Sequence, residues 1–261
     1  MQSLKSGLEV IHFLDKGPRD DFAIVFLNSL GTDFRVWDKL LDVLGDRFRT
    51  VRMDKRGHGL STNYKDDISI ESLAKDVSVL VDSLNLKNIC VVGLSIGGLI
   101  ALELIRQRPN LCNKLILSDT APKIGSENMW AERIKRVQEG GIEAISDDIL
   151  ARWFSNEFLK NKTVELQMWR SMLTRTTKSG YIGCCGAISQ CDLTEQAKLI
   201  NIPTLVIVGD EDGSTPVNLV KDAANLIDGS IFKVIKKAGH LPCVEQPNEV
   251  ASIFLEFLER P

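Results

Sequence analysis

The stretch at residues 89–107 is ICVVGLSIGGLIALELIRQ. Its first six residues are apolar or glycine and rich in branched side chains, which is typical of a buried parallel strand. From Leu99 onward, apolar residues recur at helical spacing among strong helix formers. The stretch therefore predicts a strand, a sharp turn and a helix in immediate succession, with Ser95 on the turn.

Gly93 and Gly97 flank Ser95 in a GxSxG pattern. A serine raised on a tight strand-to-helix turn needs neighbours without side chains, because the backbone passes close to them. The pattern therefore predicts a nucleophilic serine. The structural alternative is a glycine-rich turn on which the serine has no chemical role.

Charge and composition limit the classes of partner. Of 261 residues, 44% are hydrophobic, and 32 basic against 35 acidic residues leave a net charge of −3. No basic block favours nucleic acid or an anionic membrane, so we expect a small-molecule partner. No apolar run approaches the roughly 20 residues that span a bilayer, and the start MQSLKSGLEV lacks a signal-peptide core, so we expect a soluble, cytoplasmic protein. The oligomeric state is not predicted.

Motifs for metals and cofactors are missing from the sequence. The cysteines and histidines do not fall at spacings such as CxxC or HExxH, and no GxGxxG or GxxxxGK[ST] occurs. We therefore expect no metal and no cofactor. A long chain without an export signal favours free thiols for the six cysteines, which are Cys90, Cys112, Cys184, Cys185, Cys191 and Cys243.

Strand and helix patterns alternate along most of the chain, which predicts a mostly parallel sheet flanked by helices. Besides the strand before Ser95, strands are predicted at residues 8–14, 22–27, 48–54, 114–118, 202–208 and 231–235. The first of these alternates apolar and polar residues, as an antiparallel edge strand does. Residues 122–192 show only helical patterns, so we predict a helical cap there, inserted into a core of residues 1–121 and 193–261.

Three of the four tryptophans lie in the predicted cap. Trp130, near its start, is the better candidate for contact with a ligand. For Trp153 we favour packing between helices.

A serine hydroxyl needs a base to accept its proton and a carboxylate to orient that base. Of the three histidines, His12 lies in a predicted strand and His58 in a glycine-punctuated turn, where a structural role is more common. His240 follows the last predicted strand, at the sheet edge where such folds place their sites. We therefore predict His240 as the general base; a buried, hydrogen-bonded histidine is the alternative.

The loop after residue 208 offers three acids: Asp210, Glu211 and Asp212. Asp212 is the preferred partner of His240, because it lies furthest from the strand and can turn toward the histidine. For Asp210 and Glu211 we expect a solvated loop. The chain order of serine, acid and histidine is that of the α/β-hydrolase fold.

Attack on an ester carbonyl creates an oxyanion, which fixed backbone N–H groups stabilise. We predict the N–H groups of Ile96, next to the nucleophile, and Leu30, in the loop after residues 22–27, for this role. Gly31 gives that loop room to turn.

Five motifs are considered together: NSLGTD at 28–33, RGHGLS at 56–61, GLSIGG at 93–98, GDED at 209–212 and GH at 239–240. Together they resemble the 3-oxoadipate enol-lactone hydrolases, over nearly the whole chain. In the cap the similarity includes Trp130, RI at 133–134, RWF at 152–154 and CC at 184–185. The chain departs from the His-Gly start that the oxyanion loop usually has in the wider superfamily.

The resemblance implies cofactor-free hydrolysis of an enol-lactone to 3-oxoadipate, in the β-ketoadipate branch of aromatic catabolism. Because such a substrate carries a free carboxylate, we expect a cationic anchor in the cap, with Arg133 as first candidate. The catalytic motifs are shared with many esterases, so a general carboxylesterase or a carbon–carbon bond hydrolase is the alternative. A ligand receptor on the same fold is the non-enzymatic alternative. A dehalogenase is disfavoured, since it would need an aspartate at position 95.

Overall fold

The computed structural model describes residues 1–19, 22–64 and 68–260. Eight strands form one sheet in the order β1-β2-β4-β3-β5-β6-β7-β8. Their bounds are β1 Gln2–Ser6, β2 Glu9–Lys16, β3 Phe22–Leu27, β4 Arg49–Met53, β5 Asn88–Leu94, β6 Cys112–Ser118, β7 Thr204–Gly209 and β8 Ile231–Ile235. The mostly parallel sheet with flanking helices confirms the predicted fold class.

The pairs β1–β2 and β2–β4 are antiparallel, and all other pairs are parallel. The expectation of an edge strand at residues 8–14 is wrong in one respect, since β2 lies inside the sheet and β1 forms its edge. β1 was missed because Leu4 is its only strongly apolar residue within a polar segment, and only its pairing with β2 makes it a strand.

Twelve α-helices and three short 3-10 helices complete the described part of the chain. The α-helices are α1 Asp38–Leu44, α2 Ile70–Ser83, α3 Ile96–Gln107, α4 Glu127–Gly140, α5 Ser146–Trp153, α6 Asn156–Asn161, α7 Thr163–Thr174, α8 Lys178–Ser189, α9 Thr194–Ala197, α10 Val217–Asn225, α11 Pro242–Glu245 and α12 Pro247–Leu258. None of these described helices is long and apolar enough to cross a membrane.

β5 lies at the centre of the sheet, between β3 and β6. Its residues from Ile89 to Val92 are completely buried, as expected of a parallel strand covered by helices on both faces. Because parallel strands end at the same sheet edge, the loops after β3, β5, β7 and β8 all reach one side of the molecule. All the predicted catalytic and oxyanion-binding residues outside the cap lie on that side.

Residues 122–192 are all described and contain helices α4 to α8, one 3-10 helix and no strand. These helices lie over the loops at the carboxyl edge of the sheet. Gly31 and Gly57, in two of those loops, approach side chains of α7 and the backbone of α8 so closely that a Cβ would clash. The helical character of the insert matches the sequence; the limits of a core (1–121 and 193–261) and a cap (122–192) stay predictions.

Candidate active site

Ser95 occupies the turn between β5 and α3. Its backbone has φ 57° and ψ −120°, a left-handed conformation that residues with side chains rarely adopt. The Ser95 N–H donates to the Ser118 carbonyl at 3.0 Å, and Thr120 Oγ1 donates to the Ser95 carbonyl at 2.7 Å. These bonds hold the serine in a strained position at the carboxyl edge of the sheet.

The two glycines beside Ser95 are required by close backbone contacts. A Cβ at Gly93 would lie 2.5 Å from the Gly97 carbonyl oxygen, and one at Gly97 would lie 2.1 Å from the Leu27 carbonyl oxygen. Neither distance is compatible with a side chain. The structure thus supplies the steric reason for the glycines of the GxSxG pattern.

His240 and Asp212 are joined by a hydrogen bond of 2.9 Å between Nδ1 and Oδ2. Asp212 follows β7 and His240 follows β8, so the parallel pairing of these strands brings the two loops together. Thr215 Oγ1 also donates to Oδ2 at 2.6 Å, and the backbone N–H groups of Ser214 and Thr215 donate to Oδ1. An ionised carboxylate only accepts, so His240 donates from Nδ1 and keeps Nε2 as an acceptor.

A second carboxyl lies beside this pair. Asp119, directly after β6, is completely buried, and one ligand atom from each of Asp119, Asp212 and His240 lies within 4.8 Å of the others. Burial and the charge of Asp212 raise the pKa of Asp119 well above its usual range. Burial opposes ionisation of Asp212, but His240 and the bonds from Thr215 outweigh it and lower that pKa.

Of the two carboxyls, Asp119 therefore holds a proton more tightly, and Asp212 is the one that ionises first. Among the described residues, these two acids and His240 are also the one group near enough to hold a metal ion. Asp212 is held by His240 and Thr215, and Asp119 accepts Ser118 Oγ and the Gly209 N–H, so hydrogen bonds already account for the arrangement. That no metal is used remains a prediction.

Ser95 and His240 line the same cavity, beneath the cap helices. Ser29 and Leu30, from the loop after β3, line it as well. Its other walls are Ile124, Met129, Trp130, Arg133, Ile149, Arg152, Trp153, Tyr181, Ile188 and Ser214. The structure thus brings together the predicted nucleophile, the predicted base and one predicted oxyanion residue; Asp212 reaches the site through His240.

Residues 28–32, here called the oxyanion loop, are held from behind. The Gly31 N–H donates to His58 Nε2 at 3.0 Å, and Lys55 Nζ donates to the Ser29 carbonyl at 2.6 Å. His58 Nδ1 lies 2.9 Å from the Arg56 carbonyl, which only accepts, so the histidine is neutral with its proton on Nδ1. Burial and the nearby Lys55 charge accordingly lower the pKa of His58.

The Leu30 N–H donates to no acceptor in the described part of the chain. Ile96 is the first residue of α3, where an N–H has no intrahelical acceptor. Both groups are therefore available to a negative oxygen beside Ser95.

Residues 23–247 match the model of the α/β-hydrolase fold family. The chain belongs to this family. It is 34% identical to 3-oxoadipate enol-lactonase 1 of Acinetobacter baylyi, over 93% of this chain and 91% of that protein, and 31% identical to enol-lactonase 2 of the same organism, over 91% and 88%. These relatives confirm the resemblance to the enol-lactonases.

Two solved structures extend the comparison. The enol-lactonase of Burkholderia xenovorans superposes with a TM-score of 0.93 at 31% identity, covering 99% of this chain and all of that one. A thermophilic esterase from Thermogutta terrifontis with malate bound gives a TM-score of 0.92 at 26% identity, covering 99% and 98%. The protein is an α/β-hydrolase that acts on a carboxylic ester or lactone.

In this α/β-hydrolase the cap supplies the predicted pocket residues Trp130 and Arg133. The Arg133 guanidinium lies over the Trp130 ring, 4.7 Å from its centre, and Trp130 Nε1 donates to the Ile124 carbonyl at 2.7 Å. Burial raises the pKa of the Tyr181 hydroxyl, and a hydrogen bond with Arg133 opposes that shift. Arg133 is therefore fixed in the cavity wall by an aromatic ring and a phenol.

The interpretation of Trp153 as a packing residue is incomplete, because Trp153 also lines the cavity. The sequence could not show this, since Trp153 ends α5 and only the fold directs that end toward the site. Arg152, beside it, lines the same cavity. No feature of the sequence distinguished Arg152 as a cavity residue among the 32 basic residues of the chain.

The expectation that Asp210 and Glu211 only face solvent is also incomplete. Asp210 Oδ1 accepts the Ala238 N–H at 3.3 Å, and Glu211 Oε2 accepts the Asn156 N–H at 3.0 Å. One acid thus ties the Asp212 loop to the His240 loop, and the other ties it to the start of α6. Both fix the position of Asp212 without entering the site.

Proposed function

We propose that this hydrolase opens 3-oxoadipate enol-lactone to give 3-oxoadipate, using Ser95, His240 and Asp212. The observation that carries the proposal is the single cavity shared by Ser95, His240, Leu30 and an arginine of the cap, Arg133. The similarity to enol-lactonases over nine-tenths of the chain supports the choice of substrate. The proposed place in aromatic catabolism follows from that substrate alone.

In the proposed reaction, Ser95 Oγ attacks the lactone carbonyl while His240 Nε2 accepts its proton. Asp212 orients the imidazole through Nδ1 and stabilises the imidazolium that forms. The N–H groups of Leu30 and Ile96 hold the oxyanion of the tetrahedral intermediate. Collapse of the intermediate breaks the ring C–O bond and leaves an acyl-enzyme.

The leaving group is an enol, which remains attached to the acyl chain and converts to a ketone. An enolate leaves more readily than an alkoxide, so the departure of this group needs only modest acid assistance from His240. Water, deprotonated by His240, then attacks the acyl carbon and releases 3-oxoadipate. No step requires a cofactor.

The free carboxylate of the substrate is proposed to bind Arg133, whose planar guanidinium can form two parallel hydrogen bonds to it. Arg152 lines the same cavity and is a second candidate. Malate, bound in the structure of the similar esterase, is a dicarboxylate. Because that esterase is similar to this chain, its dicarboxylate ligand supports an anionic ligand for this protein.

Arg133→Ala should raise KM for the lactone about tenfold or more, with a smaller change in kcat, because the lost contact is present in substrate and transition state alike. KM for a neutral aryl acetate should stay unchanged. Arg175→Ala, at the exposed end of α7, is the matched control. An unaltered KM for the lactone in Arg133→Ala would exclude Arg133 as the anchor.

A general carboxylesterase is the second candidate, favoured by the TM-score of 0.92 with the Thermogutta terrifontis esterase. A panel of the enol-lactone, its saturated lactone analogue and neutral aryl esters distinguishes the two functions. An enol-lactonase should show a kcat/KM for the enol-lactone at least a hundredfold above the others. Equal values across the panel would favour the esterase.

A further inference from the structure

Lys55 is a buried lysine directly behind the oxyanion loop. It follows β4, only 3% of its surface is exposed, and Nζ donates to the carbonyl oxygens of Ser29 at 2.6 Å and Thr32 at 3.3 Å. Within the part of the chain that the structure describes, no carboxylate lies within ion-pair distance of Nζ. A charge buried among carbonyl groups is costly, so its position calls for an explanation.

The Ser29 carbonyl and the Leu30 N–H belong to the same peptide group. All described peptide bonds are trans, and in a trans peptide the C=O and the N–H point in opposite directions. Lys55 binds the carbonyl end of this group, so the Leu30 N–H points away from Lys55. Ser29 and Leu30 both line the active-site cavity. A cation on the oxygen withdraws electron density through the amide resonance and makes the N–H a stronger donor.

We propose that Lys55 is a positioning residue that polarises the Ser29–Leu30 peptide, so that the Leu30 N–H binds the oxyanion more strongly. This inference rests on the proposed role of Leu30 in the site. It assigns to Lys55 a contribution that grows with the charge on the oxyanion, and therefore an effect on kcat rather than on substrate binding.

The oxyanion loop does not depend on Lys55 for its shape. The Ser29 carbonyl also accepts the Thr32 N–H at 3.2 Å and Thr32 Oγ1 at 2.9 Å. The Thr32 carbonyl accepts Asn28 Nδ2 as well, and His58 holds Gly31. Removal of Lys55 therefore leaves both carbonyl oxygens with hydrogen-bond partners.

Burial lowers the pKa of Lys55 to about 8. The ionisable groups around it are the thiol of Cys184 in α8, the carboxyls of Asp54 and Asp33, which favour its charge, and His58, whose pKa its charge lowers. Asp76 lines a small cavity with Lys55. The ammonium is thus present at pH 7 and lost as the pH rises through about 8, so kcat should fall over that range.

The same shift has a consequence for stability. Between pH 8 and 10.5, the ordinary pKa of a lysine, the unfolded chain binds the proton and the folded protein does not. Stability therefore rises with pH over that window, and the charged form of Lys55 is unfavourable to folding at neutral pH. A neutral side chain of similar length should leave Tm unchanged or raise it.

The test compares Lys55→Met with Lys16→Met, the same change at an exposed lysine. With both the enol-lactone and 4-nitrophenyl acetate, Lys55→Met should lower kcat about tenfold, less than complete loss of an oxyanion donor. KM should stay unchanged, Tm should not fall, and the decline of kcat near pH 8 should disappear. Lys16→Met should behave as the wild type.

Wild-type kcat and an unchanged pH profile in folded Lys55→Met would overturn the inference, as would a drop in Tm that accounts for the lost activity. If the variant does not fold, the profile of the wild type decides, since a kcat that is flat from pH 7 to 9.5 contradicts it. Use of the ester keeps this test separate from the substrate assignment. Activity on the ester but not on the lactone would exclude the enol-lactone as substrate. Activity that persists in Ser95→Ala would exclude the proposed catalytic site.

Discussion

The carboxyls of Asp212 and Asp119 lie close together in the site but differ in acidity, and the sequence alone does not show this difference. Asp212 bonds to His240, which lowers its pKa, while burial and the charge of Asp212 raise the pKa of Asp119 beside it. The same substitution at the two positions should therefore have very different effects.

Asp212→Asn removes the charge that orients His240 and should lower kcat about 10⁴-fold with little change in KM. Asp119→Asn replaces the less acidic carboxyl by a neutral amide of the same shape and should change kcat less than about threefold. Steady-state kinetics on an aryl ester would measure both. Similar losses in the two variants would contradict the assignment of the proton to Asp119.

Some residues of the candidate site could be predicted because each follows a strand and also fits a motif. Ser95 lies in GxSxG, and Asp212 and His240 complete the chain order of serine, acid and histidine. Lys55 and Asp119 also follow strands, but no motif marks them or Trp153, and their relation to the site depends on contacts between distant segments. His58 was correctly interpreted as part of a turn, but its bond to Gly31 becomes visible only in the structure.

Among the elements, α2 shows how far local sequence determines structure. Ser69 precedes this helix, and its side chain accepts the Ser72 N–H while Ser72 Oγ accepts the Ser69 N–H. Such a capping box satisfies two helix N–H groups that otherwise lack partners. β1, in contrast, has too few apolar residues to be recognised without its partner.

Ser69→Ala should lower the free energy of unfolding by about 1 kcal/mol, the usual contribution of a side-chain cap. Because α2 starts away from the cavity, kcat and KM should stay unchanged. Urea unfolding at pH 7 would measure the difference, with Ser83→Ala, at the other end of the helix, as a control. A loss of activity without a loss of stability would show that Ser69 has a role beyond capping.

At the scale of the whole molecule, parallel strands and the inserted helices together create the site. Three strand ends deliver Ser95, Asp212 and His240 to one edge, and the cap closes the cavity over them. The alternation of strands and helices made the core predictable. The residues of the cap that line the cavity were less predictable, because the sequence does not show which face of each helix covers the sheet.

The most direct test of the account is the rate at which purified protein consumes 3-oxoadipate enol-lactone, followed by the loss of its ultraviolet absorbance, beside a Ser95→Ala variant. The account predicts rapid, multiple-turnover loss with the wild type and none above the spontaneous rate with the variant. No enzymatic loss of the lactone, in a preparation that still cleaves an aryl ester, would contradict the substrate assignment. Undiminished activity in Ser95→Ala would contradict the nucleophile.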